Sequence, residues 1–241
     1  MAFETILKQP AEELRRPITF NGVSTVMVLH SVTSVARGLV AGSAELGVVP
    51  QTFAGAVTLV ISGGSDGERY LVTAVADDAE GQRAETELEI AVIDAAWSMP
   101  DGGAPYLSIA DFIARFGLPE VTRATDANGS GRVDREMLVN ALVNAQATAD
   151  AHIAARYTVP LTDVPLIVRK IVGDLAMAAL YPSGAPDGIA AQAVASTRML
   201  ERIQSGAMPI PAATPPAQTA SEDAILISPG RRAYPDGLAG Y

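Results

Sequence analysis

The period of the apolar positions changes once along this chain. Up to residue 94 it is two. The segments STVMVLHSV, AGAVTLVIS, ERYLVTAVAD and ETELEIAVID are rich in Val, Ile, Leu and Thr. Turns bearing glycine and acid, GGSDG at 63–67 and DDAEG at 77–81, separate the later ones. In ETELEIAV the acids Glu85, Glu87 and Glu89 alternate with Leu88, Ile90 and Val92, which predicts a strand with one wet face. Roughly four to seven such strands predict a small antiparallel, Ig-like β-sandwich. GGSDG lacks the Lys-Ser/Thr of a phosphate loop and no helix follows it, so a hairpin turn is expected there.

Beyond residue 105 the period becomes 3.6. Ser108 and Asp111 stand in capping-box register, Gly117 supplies a stop, and Ile109, Phe112, Ile113 and Phe116 form the apolar face between them. A longer helix opens at Asp134, an N-cap with Glu136 in the first turn, and buries Leu138, Ala141, Leu142, Ala145, Ala149 and Ile153. It must end near Arg156-Tyr157, because Pro160 excludes helix from the residue before it. Pro165 opens a third helix with a predicted stripe of Leu166, Ile167, Ile171, Leu175, Ala178 and Ala179, and a fourth ends at Gly206. The predicted order is therefore two-domain, β then all-α. A sandwich occupies 1–97, a linker 98–105, a four-helix domain 106–208, and an extended Pro/Ala-rich tail or arm 209–241. Trp97, the single tryptophan, is expected to fill the space between the domains.

Composition narrows the function. The chain of 241 residues is 49% hydrophobic but only 5% aromatic. Its Ala and Val suit close helix packing more than a deep ligand pocket. The net charge is −10, and residues 1–97 carry 13 acids against 6 bases. Without a basic stripe, sequence-specific nucleic-acid binding is excluded as a leading reading. There is no Cys, hence no disulfide frame, thiolate metal site or cysteine nucleophile. The opening MAFETILKQPAEELRR has no apolar core of a secretory signal, and no apolar run approaches the ~20 residues of a membrane span. The expectation is a soluble protein made in the cytoplasm.

Candidate chemistry is sparse. In DANGSGRVDREM, Asp126, Asn128 and Ser130 fall at calcium-loop positions 1, 3 and 5, with Gly131 at 6 and Asp134 at 9. Position 12, which needs a bidentate Glu, holds Met137. The reading is a polar loop that caps the next helix, with a weak calcium site as the alternative. His30 reads as a core or edge histidine, and Asp150 and His152 are two apart on a helix and face apart. No catalytic pair, activated nucleophile or cofactor motif is visible, so neither an enzyme nor a cofactor is expected.

Two resemblances follow from these residues. The run from GGSDG through ETELEIAV resembles small sandwich domains of phage structural proteins. Residues 106–208 resemble the head–tail adaptor (connector) family of Mu-like tailed phages. The features that carry this are Tyr106-Leu107, Arg115-Phe116-Gly117, an Asp-bearing loop, and Ala141-Leu142…Ala145…Asp150…Ile153…Arg156-Tyr157…Pro160-Leu161. They continue with Ile171, Asp174-Leu175-Ala176, Leu180-Tyr181, and Leu200, Ile203 and Gly206. The extra N-terminal sandwich is a departure from the family pattern. The resemblance implies a structural virion protein at the neck, made in the host bacterial cytoplasm. It would form a ring with copies of itself on the portal protein, dock a downstream neck or tail protein, and let DNA pass without sequence-specific binding. No membrane partner is implied. Arg156, Tyr157, Tyr181, Ile225, Leu226, Tyr234 and Tyr241 are the interface candidates. The alternative is a calcium-stabilised binding or adhesion module with the sandwich as its ligand domain.

Overall fold

The computed structural model describes residues 4–23, 25–26, 28–38 and 43–210. The predicted arm beyond 210, with Ile225, Leu226, Tyr234 and Tyr241, lies outside them. The described residues form seven strands followed by five helices. The strands are β1 (Glu4–Lys8), β2 (Leu14–Ile18), β3 (Val28–Ala36), β4 (Leu46–Phe53), β5 (Ala56–Gly63), β6 (Arg69–Asp77) and β7 (Arg83–Val92). The helices are α1 (Ile109–Phe116), α2 (Leu118–Thr125), α3 (Arg135–Ile153), α4 (Leu166–Ala179) and α5 (Asp187–Ser205).

One sheet has the order β1-β7-β6-β3 and the other β2-β5-β4. Alternation does the work the sequence promised. Val57, Leu59 and Ile61 of β5 face Tyr70, Val72, Ala74 and Ala76 of β6 and Leu88 and Ile90 of β7 in one buried cluster. The β6–β7 hairpin turns where Asp78 Oδ1 accepts the Glu80 and Gln82 backbone N–H groups, a side chain mimicking a turn carbonyl.

Three strand-level expectations need correction. β1 pairs with β7 in parallel, so the sandwich is not wholly antiparallel. The GGSDG turn is no hairpin: β5 and β6 belong to different sheets, and the turn carries the chain from one to the other. In β7 the wet face extends only through its first half. Its second half is buried on both sides, because Ala91 joins the helical core while Glu89 is sealed beneath Arg37 and Arg69. β2 and β4 carry Pro17 and Pro50, and both are edge strands, where a missing N–H costs no ladder bond.

The helical half has one more helix than predicted. Pro119 sits in the first turn of α2, where its absent N–H is harmless, so 118–125 is helical after all. α1 and α3 begin as expected: the Ser108 side chain accepts the Asp111 N–H, and Asp134 accepts the Met137 N–H. The predicted face of α3 is buried at every position, with Gln146 added. α5 closes on Gly206 in the left-handed region.

α4 is rotated from its predicted stripe. Leu166 is 81% exposed, whereas Val168, Val172, Asp174, Ala176 and Met177 are buried with Ile171. The inward carboxylate explains the rotation. Asp174 is held by Arg115 of α1, Lys170 of its own helix and the Ser196 hydroxyl of α5. A charge so compensated can occupy the core-facing position that hydrophobicity alone denies it.

Candidate functional site: the signature residues and the joint between domains

The residues that carried the resemblance meet in space as polar knots inside the helical domain. Tyr106 donates its hydroxyl proton to Asp150 Oδ1 and accepts the Leu161 N–H at 2.7 Å, pinning the start of the domain to the end of α3 and the turn after it. Gln146 reinforces the same corner. Its side chain accepts the Tyr106 N–H and donates to the Ala104 carbonyl. Burial pushes Asp150 above the ordinary carboxylate range, helped by the nearby Asp101 charge and opposed by the Tyr106 hydrogen bond. Burial and the Asp150 bond likewise raise the Tyr106 phenol.

Arg115 and Asp174 form a second knot, already described. Arg156 makes a third: its guanidinium donates to the carbonyls of Gln204 and Ser205 at 3.1 and 2.8 Å. It thereby satisfies the open end of α5 beside Gly206, where a Cβ would collide with that guanidinium. The Tyr157 hydroxyl accepts the Ile210 N–H at 3.0 Å, and the ring packs on the helical core. Tyr181 donates to Glu120 Oε1 at 2.7 Å, joining the end of α4 to α2. Thus Arg156, Tyr157 and Tyr181, expected as interface candidates, are each engaged within their own chain.

The calcium-like loop is hydrogen-bonded within itself. Asp126 accepts the Ser130 N–H, the Ser130 hydroxyl and the Gly131 N–H at 2.6, 2.8 and 2.6 Å. Burial alone would raise its pKa. The Gly131 N–H and the two Ser130 groups outweigh it and hold the carboxyl below the usual range. Asp134 caps α3. Among the described residues no group of three His, Asp or Glu side chains converges as a metal site.

The loop points its remaining groups at the sandwich, a role the sequence reading missed. Val133 donates its N–H to the Gly67 carbonyl at 2.9 Å, and Arg69 reaches the Gly131 carbonyl. Arg132 donates to Glu68 Oε2 at 2.7 Å and to the Ser43 hydroxyl. Glu68 is fully buried and also accepts from the backbone N–H groups of Gly38 and Arg69. Burial acts to raise its pKa, but Ser43, Arg69 N–H, Arg132 and Gly38 N–H together bring it below the ordinary value. Arg135 adds bonds to the carbonyls of Asp94 and Ala96. Apolar contact completes the joint: Ala91, Ile93, Leu7 and Trp97 pack on the helical core. Trp97 therefore stands where it was expected. Besides Trp97, the sequence signal at this joint was the glycine at 67. It has φ +79° and no room for a Cβ against the Val133 carbonyl.

Two surface features complete the inventory. His30 lies exposed on edge strand β3, its Nε2 2.5 Å from Asp77 Oδ2, and Asp77 also accepts from Arg83. The hydrogen bonds from Arg83 and His30 draw the Asp77 carboxyl down to about 2. At the tip of the β4–β5 hairpin Phe53 is 85% exposed. No described helix is long and apolar enough to cross a membrane.

Among known proteins, the model of the bacteriophage Mu Gp36 family matches residues 106–228, just over half of the chain. The match begins at Tyr106, the first residue of the first polar knot, and leaves the sandwich outside it. No curated protein matches.

Proposed function

From the premise that this chain belongs to the bacteriophage Mu Gp36 family, we propose that it is the head–tail adaptor of the virion neck. Copies of the helical domain form a ring on the portal protein, lengthen the DNA channel, and offer their far side to the next neck or tail protein. The family match over the helical domain carries this reading. Three properties support it. The polar knots tie up the family signature residues within each subunit, so a stable helical body precedes any assembly. The buried face of α3 includes Ala141, Ala145 and Ala149, small side chains that permit close helix packing and thin walls. The chain's net charge of −10 suits a channel that DNA passes without adhering.

The proposed activity is structural rather than enzymatic, with no cofactor and no membrane partner. Contacts between ring neighbours are heterologous, one face of a subunit meeting a different face of the next, because that geometry closes rings. Since Arg156, Tyr157 and Tyr181 hold their own subunit together, they act on assembly through folding. Binding to purified portal rings, followed by electron microscopy, tests the proposal. Added ring density on the tail-facing side of the portal is expected. A chain that binds neither isolated portals nor tailless heads contradicts it.

A further inference from the structure

We propose that the loop 126–133 is a metal-free clamp that fixes the sandwich to the helical domain, so that the chain moves as one rigid body. This does not depend on the neck assignment. The loop has the residue types of a calcium site, yet Met137 stands where position 12 needs a bidentate carboxylate, and Asp126 accepts three hydrogen bonds within the loop. Those bonds shape the loop so that its outer edge faces the other domain. That edge delivers the Gly131 carbonyl, the Arg132 guanidinium and the Val133 N–H to three consecutive residues of the sandwich, Arg69, Glu68 and Gly67.

The sandwich side is equally prepared. Gly67 N–H donates to the Val92 carbonyl and Val92 N–H to the Glu68 carbonyl, so the receiving turn is stitched to the end of β7. The turn that carries the chain between the two sheets is thus also the seat of the other domain. Separating the domains would strip the buried Glu68 carboxylate of its Arg132 partner and leave the apolar residues Ala91 and Ile93 facing water. The segment 98–105, although linker-like in composition, is therefore a connection across a closed joint and not a hinge.

The absence of cysteine makes the test direct, since spin labels go only where cysteines are introduced. Thr33→Cys on β3 and Gln192→Cys on α5 place one label on each domain of the full chain, at exposed positions. Pulsed electron–electron distance measurement should give a single narrow distribution, unchanged by millimolar calcium or by chelator. Introducing Arg132→Met should broaden it and raise the rate of protease cleavage within 98–105 at least tenfold. Circular dichroism should meanwhile report both folds intact. A broad or multiple distribution in the parent chain, where no clamp residue is altered, overturns the rigid body whatever the variant does. A distribution that narrows only on adding calcium overturns the metal-free clamp. An Arg132→Met chain that keeps both the narrow distance and the parent cleavage rate removes the loop from the role.

Discussion

Single residues in this protein are explained by what their polar atoms must find once buried. Asp150 is the clearest case. Its pKa is raised from 3.8 by burial and by Asp101, so between the ordinary carboxylate value and its folded value the native chain holds a proton the unfolded chain has lost. Stability therefore falls as pH rises through that window and stays lower above it. Asp150→Asn keeps an acceptor for the Tyr106 hydroxyl and removes the charge. Its melting temperature at neutral pH should equal or exceed that of the parent, and its loss of stability on going from about pH 4 to pH 7 should be smaller. Equal destabilisation at every pH, measured by thermal melts in matched buffers, would contradict this account of the knot. Asp126 and Glu68 have the opposite sign. Their lowered values make their contribution complete above the unfolded carboxylate range and lost in acid.

At the scale of elements, legibility tracked amphipathic regularity. The start and inward face of α3 were readable because an N-cap and an uninterrupted apolar face agree on one answer, while its end at Ile153 falls short of the expected Arg156-Tyr157. β5, β6 and the first half of β7 were readable for the same reason in period two. β1, β2 and β4 were less so, since each is a short or proline-bearing edge strand whose pattern is set by what covers it. α4 was mis-phased because sequence periodicity gives no credit to an inward carboxylate. The Arg115–Asp174–Lys170 cluster is formed by residues from two helices far apart in the chain. The polar pairing across the joint was illegible for a related reason: Glu68 and Arg132 are 64 positions apart and nothing local marks them as partners. Mutating α4 distinguishes its two phases. Met177→Ala, at a fully buried position outside the predicted stripe, should cost about 2–5 kcal/mol in chemical denaturation. Leu166→Ser, within that stripe but exposed, should change stability by no more than about 0.5 kcal/mol. The reverse order would restore the stripe read from sequence.

The whole molecule is an acidic, two-domain body whose helical half carries the family match and whose sandwich lies in front of it. The residues that carried the resemblance look inward: Tyr106, Asp150, Arg115, Asp174, Arg156 and Gly206 serve the subunit's own fold. In the proposed neck role, contacts with neighbouring proteins fall to surfaces outside those residues, and the proposed clamp gives each copy's sandwich a fixed angle for one such surface. This separates the adaptor reading from the binding-module reading, in which the sandwich acts alone and the virion is not its place of work. The most direct test is antibody to the sandwich, applied as immunogold label to intact virions and tailless heads of the source system, with mass spectrometry of the same particles. The account predicts label at the single portal vertex of both and the protein among the particle components. A protein missing from purified particles, with no label on either, would contradict it.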